Sequence, residues 1–92
     1  MTNAKFRLEV SYNDVTGDPV AAYVRIREGK VAQTKEISDG VAFADYGDDG
    51  FLLGIELLAP CRVEVLESVS EREPEQVRQF LRQGVRKEMI FV

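Results

Sequence analysis

Residues 41–58 read VAFADYGDDGFLLGIELL, and their interpretation decides the fold. Gly47-Asp48-Asp49-Gly50 lies between two stretches of strand composition. Asp49-Gly50 is a pair that tolerates positive φ, and Gly47 adds a second flexible point, so the chain can reverse within a few residues. Beyond the turn, Phe51, Leu53, Ile55 and Leu57 alternate with Leu52, Gly54, Glu56 and Leu58. Both faces are apolar except at Glu56, which predicts a central strand covered on each side. Gly54 leaves a gap in one face, where a side chain or helix can approach closely. Two registers fit. A two- or four-residue loop sets Ala42, Ala44 and Tyr46 beside Leu53 and Ile55, whereas a three-residue loop with a bulge sets Phe43 there.

Toward the N-terminus, residues 5–12 alternate between Phe6, Leu8, Val10 and Tyr12 on one face and Lys5, Arg7, Glu9 and Ser11 on the other. This is the pattern of a half-buried antiparallel strand. Asn13-Asp14 and Gly17-Asp18-Pro19 mark a loop, and a second strand follows over residues 20–27. In it Ala22, Val24 and Ile26 face inward while Tyr23, Arg25 and Arg27 face outward. Glu28-Gly29-Lys30 reads as a turn, and residues 31–37 as a strand polar enough for a sheet edge. Ser38-Asp39-Gly40 then turns the chain into the central hairpin. The sum is a five-stranded, mainly antiparallel meander over residues 5–58.

Toward the C-terminus the period changes. Ala59-Pro60 ends the strand. Over residues 61–69, Val63, Leu66 and Val69 recur at helical spacing, while Val63 and Val65 equally suit a short strand; a short helix is favoured. Pro74 suits the first position of a second helix, where its missing N–H costs nothing, and is hard to place behind a Ser70–Glu73 capping box. Val77, Phe80, Leu81 and Val85 form its apolar stripe, and Gly84 suits its end. Glu71, Glu73 and Glu75 precede Arg82, Arg86 and Lys87, the order that complements the helix dipole. Met89-Ile90-Phe91-Val92 is an apolar tail with the composition of a last strand. The expected fold class is α+β: the meander sheet with a C-terminal helix packed on one face, in a single domain covering residues 1–92. Residues 61–92 form the helical cover and tail.

The stretch from Leu8 to Leu58 resembles the domain of unknown function 2283 family, small and mostly bacterial proteins. GKVAQT at 29–34 and DGFLLGIELL at 49–58 carry the resemblance most specifically, with an early strand ending in Tyr12 and the AAYVRI strand at 21–26. Gly47 departs from the family pattern, where an Asp stands, and GVAFADY is one residue longer than expected. The resemblance implies a small β-rich domain and no established activity, so it brings no catalytic residue with it.

Composition closes several chemistries. The chain has no histidine, which removes the commonest general base and the commonest transition-metal ligand. A formal net charge of −4, from 12 basic and 16 acidic residues, argues against a nucleic-acid partner. No apolar run is long enough to span a membrane, MTNAKFRLEV lacks the apolar core of a signal peptide, and Cys61 has no partner for an internal disulfide. The expectation is a cytoplasmic protein with no cofactor and no membrane partner.

Each candidate site has a plainer alternative. Asp45-Tyr46-Gly47-Asp48-Asp49-Gly50 followed by Glu56 approaches the spacing of an EF-hand loop, but Gly47 offers no oxygen at the third ligand position and both flanks read as strands. The hairpin-turn reading is therefore preferred. Cys61 lacks a histidine to activate it and reads as a small buried residue. Arg78, Arg82 and Arg86 fall four apart on one helix face, suited to a phosphate or an acidic partner, or simply to a solvated surface. Tyr23, Arg25 and Arg27 share one strand face, with Lys5 and Arg7 nearby if the first two strands pair. They form a binding patch or an ordinary polar outer face. Glu56, a lone carboxylate in an apolar strand, would need a partner or a raised pKa if buried.

From these the expected function is a non-enzymatic protein-interaction or regulatory module, antitoxin-like in its finest form. The alternative is a minimal ligand-binding protein or enzyme using Glu56, Tyr23 and Arg25. The partner-binding residues under either reading are Tyr23, Arg25, Arg27, Glu56, Arg78 and Arg82, with no metal site. A twofold homodimer is expected beside a small protein partner. The reason is that residues 51–58 ask for cover on both faces and the tail adds another apolar surface.

Overall fold

The computed structural model describes residues 4–58, 60–85 and 89–91, with backbone alone at 4, 5 and 91. Five strands form one antiparallel sheet: β1 (Ala4–Tyr12), β2 (Pro19–Arg27), β3 (Gln33–Ser38), β4 (Ala42–Tyr46) and β5 (Leu52–Leu57). They are followed by β6 (Cys61–Arg62), α1 (Val63–Ser70), α2 (Glu75–Gln83) and β7 (Ile90–Phe91). The α+β class expected from the sequence is the observed one.

The strand order is β1-β2-β5-β4-β3. A β1–β2 hairpin and a β3–β4–β5 meander therefore meet along β2 and β5, and the chain from β2 crosses the sheet end to reach the opposite edge. Glu28-Gly29-Lys30 belongs to this crossing and not to a tight hairpin. Hydrophobicity sets the order: the most apolar strand, β5, takes the centre, and the polar QTKEIS of β3 takes an edge. At the crossing, a Cβ on Gly29 would lie 3.0 Å from Leu53 Cδ2, so the backbone runs directly over that side chain.

The central hairpin turns through residues 48–50. Gly47 N–H donates to Phe51 O at 3.0 Å, Gly50 N–H donates to Gly47 O at 3.0 Å, and Gly50 takes φ +85°. Asp49 Oδ1 accepts from Phe51 N–H at 3.1 Å, an Asx contact typical of turns. Tyr46 pairs with Leu52, but Asp45 pairs with Gly54 and Ala44 with Ile55, so Leu53 is an extra residue in β5. The three-residue loop is present, yet the bulge at Leu53 restores the alanine register. Ala42 and Ala44, not Phe43, share a face with Leu57 and Ile55.

That bulge corrects the expectation of cover on both faces. Leu52 lies on the same side as Ile55 and Leu57, in the core, because the alternation changes phase at Leu53. The strand looks apolar all round only when its parity is assumed constant. Phe51 and Leu58, at its two ends, are exposed.

One face of the sheet carries the core. Ala22, Val24, Ile26, Ala42, Ala44, Ile55 and Leu57 pack against Leu66 of α1, Val77 and Leu81 of α2, and Val85 and Met89 beyond it. Residues 61–69, ambiguous in sequence, are both things in turn: a two-residue strand, then a helix from Val63. Pro74 sits one place earlier than expected, at the N-cap of α2, and its carbonyl accepts from Val77 and Arg78 N–H at 3.0 and 3.1 Å. Ser70 and Glu73 form no capping box; Glu73 N–H donates to Ser70 O at 2.8 Å. Gly84 ends α2 as expected, with its N–H on Phe80 O, although in the right-handed conformation (φ −89°). A side chain there would strike the Phe80 ring, 2.7 Å from the Cβ position.

The apolar tail is used within the chain. β7 pairs in parallel with β6, and Met89 is fully buried. This overturns the idea that the tail is left as an exposed surface; Val92 lies outside the described residues. No helix among the described residues is long and apolar enough to cross a membrane.

Candidate functional site

The sheet face opposite the helices displays two rows of side chains, aligned by the pairing. One row runs Arg7, Arg25, Gly54, Asp45, Thr34; the next runs Glu9, Tyr23, Glu56, Phe43, Glu36. Alternation along each strand puts these residues on the same side, because cross-strand partners in an antiparallel ladder point the same way.

Tyr23 is the hub of this face. Its hydroxyl donates to Asp45 Oδ2 at 3.0 Å, and Thr34 Oγ1 donates to Asp45 Oδ1 at 2.6 Å. The Arg25 guanidinium carbon lies 5.6 Å from the centre of the Tyr23 ring, within cation–π range. Gly54 makes this possible: a Cβ there would lie 2.6 Å from Tyr23 Cζ and 2.9 Å from Val24 O. The gap anticipated at Gly54 is thus filled by Tyr23. Burial first, and then the hydrogen bond and charge of Asp45, push the Tyr23 hydroxyl from its ordinary pKa of 10.0 up to about 12. At neutral pH Tyr23 is a fixed hydrogen-bond donor and not a base.

Glu56 stands opposite both Tyr23 and Phe43, but it is exposed. The expectation of a buried carboxylate needing a partner is therefore corrected. Glu56 alternates with Ile55 and Leu57, which are in the core, so its side chain lies on the outer face. Arg25 is half-buried, and its Nε is buried with no hydrogen-bond partner among the described residues.

Arg27 departs most from its sequence reading. By alternation it belongs with Tyr23 and Arg25, yet it is buried. Its Nη1 donates to Leu52 O at 2.8 Å and its Nη2 to Glu73 Oε1 at 2.7 Å, with the guanidinium 5.5 Å from the Phe51 ring centre. At the end of β2 the side chain ties the sheet to the segment joining α1 and α2. Arg27 is a structural clamp, not part of an outer patch.

Arg78 and Arg82 lie far from this face, in a groove between α1 and α2 that also presents Glu64, Glu67 and Glu71. Arg82 pairs with Glu67 at 3.2 Å. The acidic lining makes the groove a poor phosphate site; Arg86 lies outside the described residues, as does the side chain of Lys5. A larger groove of about 730 Å³ runs between the hairpin tip and the α1–α2 link, lined by Lys35, Tyr46, Asp48, Val69 and Arg72 among others. It contains none of Tyr23, Arg25 or Glu56. Burial raises the pKa of both Tyr46, with help from Glu73, and Cys61.

Asp45 and Thr34 are the members of the outer cluster that sequence reasoning missed. Asp45 was visible only as a calcium-like ligand, and what reveals its role is the register Asp45↔Gly54. With strands on both sides of the loop and Asp45 engaged by two hydroxyls, the EF-hand spacing is hairpin chemistry. Among the described residues no group of three or more Cys, Asp or Glu side chains is arranged to hold a metal ion.

The family model described as "Protein of unknown function (DUF2283)" matches residues 21–59. The match runs from within β2 to just past β5 and includes Tyr23, Arg25, Asp45 and Glu56. β1 and the helical cover lie outside it, so it begins later than the resemblance from Leu8. No curated protein and no solved structure matches the chain.

Proposed function

We propose, from the premise that residues 21–59 belong to the DUF2283 family, that this chain is a non-enzymatic protein-interaction module whose working surface is the outer face of the sheet. The observation that carries the reading is the double row centred on Tyr23. Arginine and aromatic side chains lie among carboxylates there, the composition that protein interfaces favour. Of the groups with catalytic potential, Tyr23 and Thr34 are engaged with Asp45, and Arg27 with Glu73. Mixed charge across the two rows fits a small protein partner of complementary pattern better than nucleic acid, whose backbone asks for a basic face. In its finest form the role is regulatory, as an antitoxin-like partner of another small protein acting in the cytoplasm.

The test compares the wild type with Glu56→Arg and Tyr23→Ala in affinity capture at native expression, after circular dichroism has shown each variant folded. Loss of one stoichiometric partner in the variants is the expected result. Capture indifferent to both substitutions would remove the outer face from the interaction. A small molecule retained by the wild type but not by Glu56→Gln would favour the ligand-binding alternative instead.

A further inference from the structure

The open edge of β1 has an unusual property: its charges are self-complementary. Among the described residues no strand pairs with the outer side of β1, which has nine residues and is long for an edge. The ladder phase can be followed across the sheet. Leu58 N–H donates to Val41 O, so Gly54 and Glu56 bond toward β4 while Ile55 and Leu57 bond toward β2. Val24 and Ala22 then bond to β5, Tyr23 and Arg25 bond to Glu9 and Arg7, and the backbone N–H and C=O of Leu8 and Val10 point out of the sheet edge.

We propose that a second copy of this chain docks on that edge in antiparallel fashion, joining the two five-stranded sheets into one. A twofold axis at Leu8, the midpoint of β1, pairs the whole strand with its copy and sets Arg7 opposite Glu9 of the partner on the outer face, twice. Centring on Arg7 or Glu9 would oppose like charges, so the side chains select this register. Arg7 and Glu9 already reach each other within one strand at 3.4 Å, both well exposed. On the helix side the same axis brings together two shelves where Phe6, 37% exposed, stacks on Phe80 at 4.7 Å. Phe6 and Phe80 line a shallow depression with Gln76, Gln79 and Gln83, and the partner's Val10 would stand opposite Phe6. Edge amides, charge pairing and apolar cover coincide on β1. β3 is shorter and polar; both edges carry irregular pairing, that of β1 lying outside the regular stretch Arg7–Ser11. The consequence rests on the interaction-module reading in one respect: dimerisation would make the outer face a single surface of double width.

The experiment is sedimentation of the full chain as wild type, Arg7→Glu, Glu9→Arg, an equimolar mixture of these two variants, and the double swap. Wild type is expected to dimerise. Each single variant should bind itself about tenfold more weakly, since two cross-strand pairs turn repulsive. The mixture and the double swap should recover the dimer. Both positions are exposed, so an unchanged far-ultraviolet circular dichroism spectrum checks that folding is intact. A wild-type monomer at high micromolar concentration overturns the proposal, as does a dimer indifferent to the charges. Either result leaves the outer-face reading standing, because partner capture by Tyr23 and Glu56 is measured separately.

Discussion

Replacing Arg27 by methionine should be among the most damaging single changes on the sheet. The guanidinium and the Glu73 carboxylate are 7% and 12% exposed as side chains, and their 2.7 Å contact is charge-assisted. Arg27→Met leaves the carboxylate nearly buried without its cation, and Leu52 O loses its 2.8 Å donor. Breaking one partner of a buried pair costs about 3–5 kcal/mol, and an orphaned buried acceptor about 1–3 kcal/mol within that range. Domains of this size have roughly 5–15 kcal/mol in total, so the variant should lie near its folding threshold. Adding Glu73→Leu removes the stranded charge and should restore part of the loss, making the double variant more stable than the single. Urea unfolding followed by circular dichroism measures both, with an unchanged slope as the sign that the unfolded state is the same. The midpoint temperature of Arg27→Met should fall by more than about 10 °C. A cost below about 1 kcal/mol, or no recovery on adding Glu73→Leu, would show that the clamp does not hold the helical cover to the sheet.

Three further outcomes follow from the same geometry. Because the folded pKa of Tyr23 is raised from 10.0 to about 12, its stabilising contribution is complete below pH 10 and fades as pH climbs toward 12; Tyr23→Phe should flatten that alkaline decline in the melting temperature, leaving the share due to Tyr46. Gly54→Ala should cost about 1–3 kcal/mol by forcing a methyl against the Tyr23 ring and Val24 O, and Tyr23→Ala added to it should relieve only part, since the backbone contact remains; full relief in urea titrations would contradict this. Cys61, buried and with its thiol pKa raised by burial, should react with a thiol reagent only in denaturant, so fast labelling of the native chain would show that the β6–β7 end opens.

Local chemistry was legible wherever it was also sufficient. Gly50 in the turn, the alternation of Ala22, Val24 and Ile26, and the stripe of Val77, Leu81 and Val85 each carry their own placement. Arg27 was not legible, because alternation assigns a face but not where a long side chain at a strand end will reach. Its partner, Glu73, is 46 residues away in the chain. Nor was the Asp45–Tyr23 contact, which depends on β5 lying between the two strands that carry them. Strand order in turn depends on which strand most needs burial, and β5 looked apolar on both sides for a local reason that only the ladder discloses.

That reason reaches beyond packing. An antiparallel hairpin is read in steps of two, much as a coding message is read in steps of three, and Leu53 is a frameshift within it. Its side chain is 4% exposed and lies under the crossing at Gly29, so the extra residue is held in place from above. Were Leu53 instead drawn into the ladder across from Asp45, Phe43 would come to the position across from Ile55 that Ala44 now holds, sending an aromatic ring into a space shaped for a methyl group and turning Asp45 inward with Tyr23 left behind. Deleting Leu53 would close the bulge and keep Asp45 across from Gly54 and Ala44 across from Ile55, so the frame would survive its loss. The place of a length change in this hairpin should therefore matter more than its size, a rule that a small deletion series read by far- and near-ultraviolet circular dichroism can expose.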